Sequence, residues 1–121
     1  MKPKTLKIAY WVATVLVALW LLADGIAGVM RAQAGMDSLV HLGYPVYLLT
    51  ISGIAKILGA IAILQTRFRT IKEWAYAGYA FNCLLAFASH LYVGDAVFLT
   101  VMPLIFLAIA MIPYFLWRKI R

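Results

Sequence analysis

Four long apolar runs limit what this chain can fold into; they cover about residues 6–31, 44–65, 71–92 and 96–117. A helix that crosses the ~30 Å hydrocarbon layer of a bilayer needs about 20 mostly apolar residues, so each run is long enough. The runs do not alternate in polarity, which excludes the strands of a membrane β-barrel. The sequence therefore predicts an all-α, polytopic membrane four-helix bundle with four transmembrane helices in a single transmembrane domain, residues 1–121.

Composition supports a membrane protein, because 66% of the residues are hydrophobic and 12% are charged. Soluble domains are about half apolar. The first run is also too long for the apolar part of a signal peptide, which has about 7–15 residues. We therefore expect it to stay in the protein as a helix.

Basic residues lie at the ends of the runs. Of the 11 Lys and Arg residues, nine lie at the N-terminus, in or beside the loop between the second and third runs, or at the C-terminus. Short cytoplasmic loops are enriched in Lys and Arg, so we expect both termini on the cytoplasmic side of the inner or plasma membrane. The net charge of +7 thus reports topology in a lipid bilayer, and nucleic acid is not an expected partner. We interpret six aromatic residues as interfacial anchors at the cytoplasmic side, namely Tyr10, Trp11, Trp74, Tyr76, Tyr114 and Trp117.

Ionisable side chains inside a membrane are costly and mark functional sites. Asp24 lies toward the outer end of the first run and Lys56 near the middle of the second. Side chains lean toward the N-terminus of their helix, so the two charges lean together and are predicted to form an ion pair. The pair either fixes helix register or belongs to a binding site. Lys56 also lies in a stripe of small residues with Ser52, Gly53, Gly59 and Ala60, which favours close helix packing.

The third run carries a polar face of Asn82, Ser89 and His90, and Asp95 follows in the next turn. The helical rise places Asn82 near the depth of Lys56 and His90 near that of Asp24. With Asp24 and Lys56, these side chains are predicted to line a pocket open to the outer side. A His beside a carboxylate exchanges protons near neutral pH or hydrogen-bonds an oxygen of a small ligand such as a quinone. Alternatively, His90 only caps the helix end near Gly94. The cytoplasmic halves of the runs are expected to be almost wholly apolar.

No catalytic residues are predicted. Cys83 is the single cysteine, and the two histidines, His41 and His90, have no carboxylate at metal-ligand spacing. No nucleophile with an adjacent base stands out, and there is no phosphate-binding glycine loop. We expect no metal, no cofactor held by the chain itself, and no autonomous enzyme activity.

Several segments together resemble one known family. These are Leu42-Gly43-Tyr44-Pro45-Val46-Tyr47, the Lys56-Ile57-Leu58-Gly59-Ala60 centre, Lys72-Glu73-Trp74-Ala75-Tyr76-Ala77-Gly78 and Ser89-His90-Leu91-Tyr92-Val93-Gly94-Asp95. The combination resembles the DoxX-like family of small four-helix membrane proteins. The resemblance implies a compact four-helix bundle and an association with membrane redox enzymes and quinone. The sequence lacks the paired cysteines of a disulfide-exchange member.

Two functional hypotheses follow. The first is a binding or accessory subunit of a membrane redox system, which holds a quinone-like or other lipophilic molecule in the outward-facing pocket. The second is a membrane assembly or stability factor whose polar seam is purely structural, with a homodimer through a small-residue face. In the first hypothesis, a membrane redox partner supplies the electron carrier.

Overall fold

A computed structural model describes residues 2–120. Within them the chain forms five helices: α1 (Pro3–Val29), α2 (Gln33–Leu42), α3 (Tyr47–Leu64), α4 (Arg69–Val93) and α5 (Val97–Ile120). No strand occurs in this part of the chain. The predicted all-α class is confirmed, and four of the helices fall on the four apolar runs.

Glycines end two of the helices. Gly43 and Gly94 adopt left-handed backbone conformations with φ of 85° and 83°, which glycine reaches without a steric penalty. The amide of Gly94 donates to the carbonyls of His90 and Leu91, so the last carbonyls of α4 are satisfied. These glycines place the short turns that follow α2 and α4.

Helix α2 adds to the four predicted helices. It lies between the first two apolar runs, in a segment whose Gly, Asp and Ser residues are typical of a loop. The segment is helical over Gln33–Leu42. Gln33 Nε2 donates to Asp37 Oδ1 at 2.8 Å one turn later, and α2 packs on both α3 and α4. A helix of 10 residues is too short to cross a bilayer, so α2 is a short cap on one end of the bundle.

Three of the described helices are long and apolar enough to cross a membrane, namely α1, α3 and α5. Helix α4 has 25 residues but is not among them, since it carries Arg69, Lys72 and Glu73 in its first turns and several polar residues later. The structure therefore supports a helical membrane protein with three candidate spans. It does not confirm the prediction of four.

The four long helices pack as a ring, in which α1 contacts α3 and α5, and α4 contacts α3 and α5. The tightest contact is between α1 and α3, where Gly25 and Gly28 face Gly53. A Cβ added at Gly53 would lie 2.6 Å from the Gly25 carbonyl oxygen and 2.8 Å from the Val29 nitrogen. The backbones of α1 and α3 thus touch directly, as small residues in membrane helices allow.

We call the two ends of the bundle the basic end and the polar end. The basic end comprises the start of α1, the loop of residues 65–68 and the end of α5; the polar end comprises α2 and the turn of residues 94–96. A compact apolar core lies on the basic side of the Asp24 and Lys56 positions. Its buried members are Val17, Ala18, Leu21, Ala60, Ile63, Tyr76 and Ala110.

Candidate functional site

Asp24 and Lys56 form the predicted ion pair. Lys56 Nζ lies 2.5 Å from Asp24 Oδ2, and the close approach of Gly25 and Gly53 beside them brings α1 and α3 together. The Asp24 side chain is 42% exposed and the Lys56 side chain is 21% exposed. The pair is therefore neutral as a unit and still accessible from outside the protein.

A groove of about 590 Å³ separates α3 from α4 and extends to Leu21 of α1. Its walls are mainly apolar and aromatic, and it opens on the bundle surface where Leu58 and Phe81 are exposed. The polar side chains that reach it from α3 and α4 include Ser52, Lys56 and Asn82. Asn82 thus shares a cavity with Lys56, as its predicted depth indicated.

Asn82 is exposed, and its amide makes no hydrogen bond to any of residues 2–120. An amide offers two N–H donors and one acceptor. In apolar surroundings, an amide without hydrogen-bond partners is costly. The groove therefore contains hydrogen-bonding capacity that the described chain does not use.

A second cavity, here called the vestibule, lies between α2 and the crossing of α1 with α3. It measures about 180 Å³, and its wall includes Asp24, Gly28, Gly35, Ser52 and Lys56. Small residues line much of it, which leaves space beside the ion pair. Asp24 therefore faces the vestibule, whereas Lys56 borders both cavities.

At the polar end, Asp95 joins two histidines. Asp95 Oδ1 lies 2.6 Å from His41 Nε2, and Asp95 Oδ2 lies 2.6 Å from His90 Nδ1. These hydrogen bonds, from His90 first and His41 second, lower the pKa of the Asp95 carboxyl below its ordinary value. The bridge ties α2 to the end of α4.

Ser89 bonds to Tyr44, in the connection between α2 and α3, rather than facing the ion pair. Its Oγ donates to the Leu85 carbonyl at 2.8 Å, so its single proton is used. The Tyr44 hydroxyl, 2.6 Å away, therefore donates to Ser89 Oγ.

The structure thus separates the predicted pocket into distinct groups. Asp24, Lys56 and Asn82 border the groove or the vestibule, whereas Ser89, His90 and Asp95 belong to bonds at the polar end. Within the described chain, neither cavity is lined by His90. His41 was not predicted to take part, since nothing in the sequence indicated that α2 folds back on the α4–α5 turn.

A buried polar group at the basic end was also missed. Lys72 is 2% exposed, donates to the Tyr10 hydroxyl, and lies 4.7 Å and 5.0 Å from the ring centroids of Tyr10 and Trp117. Such placement over aromatic faces stabilises an ammonium. We call this group the lysine cage.

Two hydroxyls lie buried one helical turn from the lysine cage. Thr14 Oγ1 and the Tyr76 hydroxyl have no hydrogen-bond partner among the described residues. The prediction that the cytoplasmic halves are almost wholly apolar is therefore wrong. The spacing of Tyr10 with Thr14, and of Lys72 with Tyr76, four residues in each case, was the available signal.

No group of three His, Cys, Asp or Glu side chains in residues 2–120 is arranged to hold a metal ion. Cys83 is buried and unpaired. The site can therefore bind through hydrogen bonds and apolar contact, and it offers no described metal centre.

These features define a helical membrane protein with a partly polar interior. The model of the DoxX-like family matches residues 12–112, which is most of the chain, and the protein belongs to that family. Comparison with curated proteins gives no significant match, and neither does comparison with solved structures.

Proposed function

We propose that this protein is a four-span membrane protein that binds a lipophilic molecule with a neutral, oxygen-bearing head, such as a quinone, in the groove between α3 and α4. It would act as a binding or accessory subunit beside a membrane redox partner. The observation that carries the proposal is the mainly apolar groove of about 590 Å³ that contains Lys56 and the unpartnered Asn82 amide. Pockets of about 300–1,000 Å³ with a few polar groups are typical of small-molecule sites.

The position of α4 supports a fourth span. Its first turns contact the start of α1 and the end of α5 through the lysine cage, and its last turn reaches the polar end through His90 and Asp95. At about 1.5 Å per residue, 25 residues extend roughly 37 Å, enough to cross a bilayer. Because α4 runs beside α3 and α5 between the same two levels, it lies in the membrane with them.

Charge favours the cytoplasmic side for the basic end. The exposed residues Lys4, Arg67 and Arg118 lie there, as do most of the other basic side chains. Under the positive-inside rule, both chain termini and the loop of residues 65–68 face the cytoplasm. The vestibule and the bridge formed by His41, Asp95 and His90 then face the outer side of the cell membrane.

The ion pair determines which ligand charge the site favours. Asp24 already neutralises Lys56 at 2.5 Å, so an acidic head would bring an uncompensated negative charge to a site of low polarity. A neutral carbonyl oxygen accepts a hydrogen bond from Lys56 or Asn82 without that penalty. We therefore favour a quinone-like head over a fatty acid.

The test is a thermal-shift titration of the purified protein in detergent with a short-tailed ubiquinone analogue and, in parallel, a fatty acid of matched length. We expect the quinone to raise the melting temperature of the native protein and the fatty acid to raise it much less. The Asn82→Leu variant keeps the side-chain size and should weaken quinone binding. The Thr70→Val variant, on an exposed position at the start of the same helix, should bind as the native protein does.

Equal shifts with both molecules would contradict the argument from charge. No shift with either probe, together with no lipophile in solvent extracts of the purified protein, would contradict a binding function.

One observation favours a second candidate function, an assembly or stability factor with a structural seam. The α1–α3 contact is so close that the ion pair sits directly beside touching backbones, where it fixes the register of the two helices. Crosslinking in native membranes would separate the two functions. Recovery of a partner that depends on the seam, with no ligand bound, would favour this alternative.

A further inference from the structure

The groove and the vestibule share part of their walls. Ser52 and Lys56 line both cavities, whereas Asp24 faces the vestibule and Asn82 the groove. Ser52 and Lys56 of α3 therefore form a partition between the groove, which opens to the bilayer, and the vestibule beneath α2.

The two ends of the bundle differ in how far they exclude water. Toward the basic end, the next layer consists of Leu21 at 4%, Ala60 at 0% and Ile63 at 2% exposure. Toward the polar end, the vestibule wall is built from small residues and two charged side chains that remain partly exposed. Packed apolar side chains therefore close the basic side of the ion pair, whereas a cavity leaves its polar side open.

We propose that the vestibule is a one-sided aqueous entry that brings water and small polar solutes from the polar end to Ser52, Lys56 and Asp24. A water molecule takes up about 30 Å³ in the liquid, and a polar cavity with several partners holds water stably, so about 180 Å³ holds several molecules. Hydration also reduces the cost of keeping two charges at membrane depth.

The proposal extends to ligand binding. It rests on the proposed function only in placing a lipophilic molecule in the groove; its head would then lie at Ser52 and Lys56, with its body among apolar side chains. Such a head contacts apolar side chains of the groove on one side and water in the vestibule on the other. The aqueous entry itself requires no ligand.

Cysteine accessibility tests the entry. In a Cys83→Ala background, single cysteines are introduced as Ala34→Cys at the vestibule wall on α2, Ser52→Cys at the partition, and Ala62→Cys in the groove near the basic end. Sealed membrane vesicles of both orientations are treated with a small, membrane-impermeant methanethiosulfonate. Labelling after denaturation in SDS gives the total thiol, and Arg67→Cys reports the exposed loop at the basic end.

We expect Ala34→Cys and Ser52→Cys to react from the polar end. The cysteine thiolate attacks the methanethiosulfonate to form a mixed disulfide and releases methanesulfinate. Because the thiolate forms poorly in apolar surroundings, Ala62→Cys should react at least about tenfold more slowly than Ser52→Cys. Arg67→Cys should react only in vesicles of the opposite orientation. Ala27→Cys, which lines the vestibule from α1, gives a second reading in case the Ser52 variant folds poorly.

The proposal is overturned if Ser52→Cys and Ala27→Cys react from the basic end, or stay unreactive while Ala34→Cys is labelled. The short-tailed ubiquinone analogue separates this result from the proposed function. Slower labelling of Ser52→Cys, with Ala34→Cys unchanged, supports a ligand at the partition. If the quinone analogue does not change the labelling rate of Ser52→Cys, binding of that ligand at the partition is contradicted. The aqueous entry then remains supported.

Discussion

Gly53→Ala is expected to be the most damaging single methyl addition on α3. The new Cβ would lie 2.6 Å from the Gly25 carbonyl oxygen, about 0.8 Å short of an ordinary 3.4 Å contact. The other nearest atoms are also backbone, at 2.8 Å and 3.1 Å. Because no flexible side chain can move aside, α1 and α3 must separate.

The magnitude follows from that separation. A gap of about 0.5–1 Å forfeits a quarter to a half of the dispersion energy of each contact, and overpacking typically costs about 1–3 kcal/mol or more. Alanine recovers up to about 1 kcal/mol of helix propensity relative to glycine. The lost dispersion offsets the gain in helix propensity, and we expect a net loss of about 1–3 kcal/mol in the free energy of unfolding.

Two matched variants serve as controls. A Cβ at Gly59 or Gly78 meets no heavy atom within 4 Å, so Gly59→Ala and Gly78→Ala should be neutral or stabilising by up to about 1 kcal/mol. The assay is unfolding of the purified protein in mixed micelles with increasing SDS, followed by tryptophan fluorescence. A Gly53→Ala variant as stable as these controls would refute the direct contact of the α1 and α3 backbones.

Lys56→Met leaves the Asp24 carboxylate without its cation and should lower the free energy of unfolding by about 1–3 kcal/mol. The loss is smaller than for a fully buried pair because Asp24 is 42% exposed. Adding Asp24→Asn should restore most of it. Tyr10→Phe removes the hydroxyl that accepts from Lys72 and should cost about 1–3 kcal/mol. The lowered pKa of Asp95 means that its bridge contributes full stability above the ordinary carboxyl pKa. That stability is lost as the pH falls through the lowered pKa, so Asp95→Asn should flatten the acid limb of melting temperature against pH.

Two of these variants, Tyr10→Phe and Asp95→Asn, have a matched control at an exposed position. Tyr92→Phe, at 96% exposure, should not change stability. Asp37→Asn, in exposed α2 surface, should keep the acid limb of the native protein. If Lys56→Met with Asp24→Asn is no more stable than Lys56→Met alone, the two side chains are not energetically coupled. An unchanged acid limb in Asp95→Asn would contradict a contribution from the bridge.

The Asp24–Lys56 pair could be predicted from sequence because it depends on few quantities. Residue depth follows from the helical rise, and side-chain lean follows from helix direction. Both apply before the bundle is assembled. The same reasoning brought Asn82 to the level of Lys56, where the groove contains both.

The division of the predicted pocket could not be obtained in this way. Depth does not give the rotation of a helix about its axis, and rotation directs Ser89 and His90 toward Tyr44 and Asp95. The bridge to His41 depends on α2, a short helix whose glycine, aspartate and serine are also typical of a loop. Lys72 was interpreted as a topology signal because its position near a basic loop does not reveal that it is buried.

The lysine cage has a consequence for how the protein is made in the cell. Tyr10 comes from α1, Lys72 from α4 and Trp117 from the last turns of α5, so the cage closes only when those turns have left the ribosome. Until then the Lys72 ammonium lacks Trp117, one of its two aromatic neighbours. An incompletely synthesised chain therefore leaves open the side of Lys72 that Trp117 covers in the finished protein.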